Sequence, residues 1–277
     1  SLLTIEQLEG IFNPVCPRFD IAPNAEITLE INPGDGGTSP TPKPNTSALD
    51  AARVRRDSKD GFFRDLRRLG INRASFGAQT FDDRQLKMLG RTHDSGDIRK
   101  TFAQLRAAGF DNINFDLIAA LPGQTMHDWQ RNLDEALQLR PEHLSLYLVD
   151  VHEGTPLEDQ INRGMRSKPD EDLAAEMYTF MIERVCAAGY EHYEISNFCL
   201  PGFESSHNTK YWNGAPYYGF GNSAHSYDGN AGSADVPVRT QREARTDGGR
   251  RRRSAVPGVK IVAWYPKDPD PLLSGWL

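Results

Sequence analysis

Residues 102–116, FAQLRAAGFDNINFD, carry the pattern that decides the fold. Apolar residues within this stretch and just before it recur at helical spacing: Ile98, Phe102 and Leu105. This spacing predicts an amphipathic helix with Ser95 as its N-cap and Gly109 just past its end. The short apolar run that follows closes at Asp116, which predicts a buried strand.

The same order of helix, glycine and strand occurs twice more, in FRDLRRLGINRASFG (63–77) and in MIERVCAAGYEHYEIS (181–196). Helices that alternate with short, nearly all-apolar strands predict crossover units and a parallel sheet covered by helices. The predicted fold class is therefore α/β, with a sheet that is open or closed into a barrel. In either arrangement a ligand site lies at the carboxyl ends of the strands.

Further cap and strand signals extend this plan. Thr4 precedes the helix IEQLEGIF, and Thr125 begins the helix that leads into HLSLYLVDV. The segment YEHYEISNF (190–198) alternates as a strand does and places four side chains on one face: Tyr190, His192, Glu194 and Ser196. Two metal ligands on one strand, His192 and Glu194, are too few for a metal site, so none is predicted there.

The composition is that of a folded protein without an obvious membrane span. The 277 residues are 38% hydrophobic, and no run of about 18 apolar residues occurs. The three cysteines are scattered, which suits a reducing compartment and predicts a cytoplasmic location. Peripheral contact with a membrane stays open, as does the oligomeric state.

The charge distribution argues against a nucleic-acid partner. The net charge is −6, yet from residue 229 onward nine Lys and Arg stand against five Asp and Glu. A basic tail without a fold signature, attached to an acidic body, does not indicate a nucleic-acid-binding protein.

Two regions depart from the helix–strand pattern. Residues 34–60 are rich in Gly, Pro, Ser and Thr and have no core pattern, so we expect a flexible insert. Residues 229–277 contain GGRRRR and a proline-rich end, and we expect them to be irregular apart from VKIVAWY.

Four polar residues lie near the expected strand ends and define a candidate ligand site: Glu30, Gln79, Arg91 and Asp116. Each taken singly is more often a strand-end group that faces solvent. As a set they suit a small polar molecule with hydroxyl, amine and carboxylate groups. The two carboxylates would accept from hydroxyl and ammonium groups, and Arg91 would pair with a carboxylate.

The segment SSHNTKYWNG (205–214) concentrates a histidine and two aromatic residues. His207 is a candidate ligand of a metal or a porphyrin iron, and Tyr211 and Trp212 are candidates for stacking on a flat ligand. The alternative is that these residues are packing and capping groups in a turn.

Several blocks resemble the coproporphyrinogen III oxidase-like group of radical S-adenosylmethionine enzymes. They are EITLEINP, INRASFGAQTFDDRQLKMLGRTH, NINFDLIAALPGQT and HLSLYLVDVHEGTPL. Within that group, HNTKYW (207–212) fits the HNxxYW signature of the HemW-type heme chaperones, and GFGNSAHSY is similar to the segment that follows it. The resemblance covers residues 1–227 apart from the insert.

The resemblance implies two ligands. The blocks match the positions that contact S-adenosylmethionine in the family, which fall here on Glu30, Gln79, Arg91 and Asp116. The HNxxYW signature is linked to heme, which implies His207, Tyr211 and Trp212 as heme contacts. LPGQT (121–125) is expected to shape the rim rather than to perform chemistry, and His192 and His225 are expected to be structural.

The sequence departs from the family in its cysteines. The family holds a [4Fe–4S] cluster with a CxxxCxxC loop, whereas Cys16, Cys186 and Cys199 form no such motif. We expect a partial (β/α) barrel that lacks its first strand–helix unit, followed by a small C-terminal α/β region. Such a chain is expected to perform no radical chemistry, so no catalytic residue and no cluster ligand is assigned.

These observations predict a barrel region at 1–160, a chaperone-like region at 161–228 and a tail outside the family at 229–277. The leading hypothesis is a truncated heme chaperone whose partners are heme and heme-acceptor proteins. Two alternatives stay open: an oxygen-independent coproporphyrinogen III oxidase, and an inactive fragment.

Overall fold

The computed structural model describes the following residues: 3–34, 59–152, 154–220, 224–227 and 261–262. The chain divides into two compact units. The terminal unit consists of residues 1–29 and 205–277, and the central unit consists of residues 30–204. In the described part of the chain, no helix combines the length and the apolar character needed to cross a bilayer.

The helices and strands are, in chain order, α1 (Ile5–Val15), β1 (Thr28–Ile31), α2 (Lys59–Arg68), β2 (Arg73–Gln79), α3 (Asp83–Met88), α4 (Ser95–Ala107), β3 (Ile113–Ala119), α5 (Met126–Leu139), β4 (His143–Leu148), α6 (Pro156–Asn162), α7 (Glu171–Ala187), β5 (Glu191–His192), β6 (Asn197–Cys199), α8 (Ser206–Asn213) and β7 (Ile261–Val262). Helices and strands alternate through most of the central unit, as the sequence predicts.

The three glycines that follow α2, α4 and α7 end their helices in the same way. Gly70, Gly109 and Gly189 have φ of 93°, 90° and 90°, in the left-handed region that glycine adopts without steric cost. In each case the N–H of the next residue bonds back to the fifth residue before it; Phe110 N, for example, lies 3.1 Å from Leu105 O. The glycine thereby turns the chain from the helix toward the next strand.

Side-chain caps fix the helix starts, and one differs from the expectation. Thr4 and Thr125 each cap a helix in a capping box, as predicted. The N-cap of α4 is Asp94 rather than Ser95, because the Asp94 carboxylate accepts from the N–H of Asp97 at 2.9 Å. The helix therefore starts one residue earlier than the sequence analysis places it.

The sheet has the strand order β5-β6-β4-β3-β2-β1-β7. The strands β2, β3 and β4 are parallel neighbours, whereas β6 runs antiparallel to both β4 and β5. The prediction of a single strand across residues 190–198 is therefore wrong. Residues 193–196 form a bend that reverses the chain between β5 and β6.

The central strands have one apolar and one polar face. Phe76, Phe115 and Leu144 are paired across β2, β3 and β4 and are fully buried, with the rings of Phe76 and Phe115 4.6 Å apart. Alternate residues place polar side chains on the opposite face: Arg73, Ser75, Asn114, Asp116, His143 and Ser145. The expectation of nearly all-apolar strands is wrong for this face.

The two irregular regions lie largely outside the described residues. Within the tail the structure describes β7, which pairs antiparallel with β1 in the register Thr28↔Val262. The division of the chain at residues 160 and 228 stays a prediction.

Candidate functional site

We call the six side chains Arg73, Ser75, Asn114, Asp116, His143 and Ser145 the polar face. The strand register aligns Ser75, Asn114 and His143 in one row, and Asp116 and Ser145 in the next. Five of the six residues are at most 8% exposed: Arg73, Ser75, Asn114, His143 and Ser145. Since polar groups buried to this extent require hydrogen-bond partners, their contacts determine how they are oriented.

Asn114 is the centre of the hydrogen bonds on the polar face. Its Nδ2 donates to Ser75 Oγ at 2.9 Å and to Asp116 Oδ1 at 2.8 Å. Its Oδ1 lies 2.6 Å from His143 Nδ1 and 3.2 Å from Ser145 Oγ. One amide therefore connects β2, β3 and β4.

Asp116 is the carboxylate of the polar face. Burial raises the pKa of its carboxyl, and the hydrogen bond from Asn114 and the positive charge of Arg73 oppose this rise. Arg91 also lowers the pKa of Asp116, so the structure places these two predicted residues within electrostatic reach. Asp116 does not close its strand as expected, because β3 continues to Ala119.

Gln79 ends β2 in an unusual backbone conformation. Its φ of 64° is positive, and the register with β3 shifts between Phe76 and Gln79, which marks a β-bulge. Its side chain folds back over Gly77, where an added Cβ would overlap Gln79 Nε2. Backbone strain of this kind, of order 1–3 kcal/mol, is concentrated at functional sites.

The other two predicted residues of this site are open to solvent. Glu30 is exposed in β1 between the buried residues Leu29 and Ile31. Arg91 is exposed after α3, where Gly90 has a φ of 68° and the Arg91 N–H bonds to Leu86 O at 2.9 Å. The structure therefore brings Asp116 within electrostatic reach of Arg91, and Gln79 ends the neighbouring strand. The role of the four residues as a ligand site stays a prediction.

The LPGQT segment is hydrogen-bonded to α3, close to the end of β2, and its role in shaping a rim stays a prediction. Gln124 Nε2 donates to Gln85 Oε1 at 3.3 Å, and Gln85 Oε1 accepts from Thr80 Oγ1 at 2.8 Å. The preceding residue of the loop, Ala120, has a φ of 58°. A cavity of about 150 Å³ lies between this loop and residues 167–173.

The sequence analysis missed the supporting residues of the polar face. Asn114, His143 and Ser145 stand at alternate positions within N-I-N-F-D and H-L-S-L-Y, a period of two that predicts a strand with one polar face. The apolar residues between them led instead to the prediction of nearly all-apolar strands.

In the terminal unit, the segment SSHNTKYWNG forms the helix α8 rather than a turn. Ser205 is its N-cap, and Gly214 ends it with a φ of 69°. The Glu26 carboxylate accepts from the N–H groups of Ser206 and His207 at 3.0 and 3.4 Å. A carboxylate is favourable at this position because the first N–H groups of a helix lack partners within the helix.

Aromatic rings surround the middle of α8. The ring of Tyr211 meets those of His207 and Tyr217 edge-on, with centroids 5.0 and 5.1 Å away. The ammonium of Lys210 lies over the rings of Tyr211 and Tyr217, and burial lowers its pKa to about 7. The exposed fractions of Tyr211 and Trp212 are 49% and 60%, so both offer apolar surface to a ligand.

The remaining histidines considered for a ligand role behave differently. His192 stacks on Phe198 with ring centroids 4.3 Å apart, a packing role that agrees with the expectation. His225 is exposed. In the part of the chain that the structure describes, no three His, Cys, Asp or Glu side chains cluster as a metal site.

The three cysteines do not form the ligand set of an iron–sulfur cluster. Cys16 is half-buried, Cys186 is exposed on α7, and Cys199 is buried in β6. Burial raises the pKa of Cys199 to about 12, which disfavours the thiolate that a metal requires. Within the described residues, these thiols therefore do not fit a cluster.

The comparisons with known proteins agree on one superfamily. The family model described as the radical SAM superfamily matches residues 21–136. The chain is 37% identical over 227 residues to the heme chaperone HemW of Lactococcus lactis, covering 82% of this chain and 54% of that protein. It is 40% identical over 175 residues to the HemW of Bacillus subtilis, covering 63% and 46%.

A mouse relative, "radical S-adenosyl methionine domain-containing protein 1, mitochondrial", is 34% identical over 225 residues and is covered to 46%. The chain thus spans about half the length of these curated relatives.

A solved structure supports the fold. Coproporphyrinogen III oxidase (HemN) from Escherichia coli aligns with a TM-score of 0.60 and 21% identity, over 81% of this chain and 49% of that one. The α/β fold is therefore of the HemN kind. The sequence matches show that the chain belongs, through residues 21–136, to the radical SAM superfamily, and its relatives include HemW heme chaperones.

Proposed function

We propose that the chain acts as a HemW-like heme chaperone that binds heme at α8 and S-adenosylmethionine at the polar face. The observation that carries the proposal is the arrangement on α8, where His207 packs against Tyr211 and Trp212 is largely exposed. Curated relatives that bear the name heme chaperone match most of this chain. Delivery of heme to an acceptor protein is part of the same proposal.

The chemistry of α8 suits a tetrapyrrole. A neutral imidazole is a ligand for heme iron, and aromatic side chains contact the apolar macrocycle. His207 is half-buried, so its ring is held by packing while part of its surface stays accessible. Tyr218 and Phe220 extend the aromatic surface beyond the helix, and Phe220 is 63% exposed.

A hemin titration followed in the Soret region tests this half of the proposal. We expect saturable binding by the chain and an affinity about tenfold lower for His207→Ala, because the iron loses a ligand. His127→Ala, at an exposed position on α5, is the matched control and should bind as the unmodified chain does. Equal binding by both variants would contradict the role of His207.

Asp116 of the polar face, with the three residues predicted beside it, suits the other ligand. The carboxylates of Glu30 and Asp116 are acceptors for hydroxyl and ammonium groups, Gln79 offers an amide, and the Arg91 guanidinium pairs with a carboxylate. The position of Asp116, half-buried yet within electrostatic reach of Arg91, supports this assignment. When bound, S-adenosylmethionine would supply a sulfonium that can be cleaved reductively.

Equilibrium dialysis with labelled S-adenosylmethionine tests the second half. We expect Asp116→Asn to bind about tenfold more weakly, because a neutral amide is a poorer acceptor than a carboxylate. Asp111→Asn is the matched control, since Asp111 is exposed before the start of β3. Undiminished binding by Asp116→Asn would remove Asp116 from the site.

The two alternatives predict other outcomes. A coproporphyrinogen III oxidase would decarboxylate two propionate groups of its substrate, which a product assay detects directly. An inactive fragment would fold without binding hemin or S-adenosylmethionine.

A further inference from the structure

A chain of short hydrogen bonds joins the bend between β5 and β6 to Asp116. The hydroxyl of Tyr193 lies 2.7 Å from His143 Nε2, and His143 Nδ1 lies 2.6 Å from Asn114 Oδ1. Asn114 Nδ2 in turn lies 2.8 Å from Asp116 Oδ1. Four side chains from three parts of the central unit are thereby connected.

The direction of each hydrogen bond follows from the chemistry of its ends. An ionised Asp116 only accepts, so the amino group of Asn114 faces it and the Asn114 oxygen faces His143. His143 Nδ1 therefore carries the proton. Burial and the charge of Arg73 lower the pKa of His143, so the ring is neutral and its Nε2 accepts from the Tyr193 hydroxyl.

The directed chain offsets the burial of Asp116. Donors along it point toward the carboxylate, and each polarises the next in a site of low dielectric. His143 is fully buried and Asn114 is 1% exposed, so neither can exchange its partner for water. Reversal of the Asn114 amide would bring its oxygen against the Asp116 carboxylate, where two acceptors repel each other.

A second arm fixes the same bend. Ser145 Oγ donates to Asn197 Oδ1 at 2.6 Å, and Asn197 Nδ2 donates to the carboxylate of Glu194. Residues 193 and 194 therefore both connect to the polar face, each through a side chain of β4. This arm holds the bend when the Tyr193 hydroxyl is removed.

We propose that Tyr193, His143 and Asn114 are positioning residues that hold Asp116 as an oriented acceptor for the hydroxyl groups of a bound nucleoside-type ligand. The inference rests on the proposed S-adenosylmethionine site and adds three residues that act through Asp116. None of the three needs to touch the ligand.

The test uses two variants of nearly the same shape, His143→Asn and His143→Leu. Asparagine places an N–H near the former Nδ1 and restores the donor to Asn114, whereas leucine leaves Asn114 Oδ1 without it. Labelled S-adenosylmethionine is the probe, in equilibrium dialysis between about pH 5 and pH 9. We expect His143→Leu to bind about fivefold to tenfold more weakly, and His143→Asn to bind within about twofold of the unmodified chain.

The pH profile separates positioning from packing. Loss of donors raises the pKa of Asp116, so the acid limb of the affinity profile moves to higher pH in His143→Leu. Arg73 of β2 and Arg91 after α3 act on Asp116, and Asp116 in turn acts on Tyr147 of β4. Glu194 of the bend acts on Tyr147. Burial raises the pKa of Tyr147 to about 12, so this phenol does not titrate in this range.

Tyr193→Phe provides a second, milder test that keeps the ring. Tyr178→Phe is its control, because it also removes one hydroxyl hydrogen bond, to Ile195 O at 2.9 Å, from the same bend. We expect the acid limb to move in Tyr193→Phe and to stay in place in Tyr178→Phe. If His143→Leu does not fold, the comparison of Tyr193→Phe with Tyr178→Phe alone tests the inference.

The outcomes distinguish the inference from the proposed function. Binding that depends on Asp116 but has the same affinity and pH profile in His143→Leu, Tyr193→Phe and the unmodified chain overturns the inference alone. Absence of binding by the folded, unmodified chain overturns both the cofactor half of the proposed function and this inference.

Discussion

The carboxamide of Gln79 lies over the α-carbon of Gly77, in the space that a side chain at position 77 would occupy. We predict that Gly77→Ala lowers the affinity for S-adenosylmethionine as much as Gln79→Ala does, because it displaces the amide. Stability should change by less than about 1 kcal/mol, since only the end of a flexible side chain must move. The double variant should bind no worse than either single variant, and additive losses would contradict a shared cause.

Glu26 holds the first turn of α8 through the N–H groups of Ser206 and His207. Glu26→Gln should speed hydrogen exchange at these two amides about fivefold, because a charge-assisted bond at a helix N-terminus is lost. Hemin affinity should fall with it. Glu9→Gln, at an exposed position of α1, is the control, and equal exchange in both variants would show that Glu26 does not anchor the helix.

Lys210 makes the stability of the chain depend on pH. Burial lowers its pKa to about 7, while in the unfolded chain it titrates near the usual value of about 10.4. Between these values the unfolded chain binds one more proton, so the free energy of unfolding rises with pH by at most about 1.4 kcal/mol per unit. Urea unfolding at pH 7 and 9 should show this rise, and Lys210→Met should abolish it.

Lys100→Met, at an exposed position of α4, is the control for that measurement and should keep the rise. The same rise in Lys210→Met would assign the pH dependence to other groups.

We predict that replacement of the glycine that ends α4 destabilises the chain, because of the backbone conformation at this position. Gly109 has a φ of 90°, so Gly109→Ala should cost about 1–2 kcal/mol although the site has open space. Gly10→Ala is the matched control, because Gly10 lies inside α1 with open space around its α-carbon and alanine favours a helix there by about 1 kcal/mol. Thermal unfolding should therefore shift in opposite directions, and a shared direction would contradict the conformational argument.

The sequence predicted those features that depend on local chemistry. The positive φ of Gly70, Gly109 and Gly189 follows from glycine placed after an apolar helical repeat, and the caps Thr4 and Thr125 follow from short polar side chains. The start of α4 differed by one residue because Asp94 and Ser95 are both good caps, and only the observed hydrogen bond to Asp97 decides between them.

Features that depend on pairing over long distances could not be predicted in the same way. The reversal between β5 and β6 requires β4 as a partner, and the alternation of residues 190–198 does not encode it. The helix α8 has only eight residues, too few for a clear period. The connection from Tyr193 to Asp116 joins residues far apart in the sequence, so it became visible only in the fold.

The placement of the cysteines allows local opening of the sheet to be measured by thiol modification. Cys186 is exposed and should react with a thiol reagent in the folded chain, whereas Cys199 is buried with its pKa raised to about 12. Cys199 pairs with His143 and Glu191 across its neighbouring strands, so it becomes reactive only when that edge of the sheet opens. Its rate of modification therefore measures how often the strand that carries it detaches from β4, a local opening that a global unfolding curve would not report.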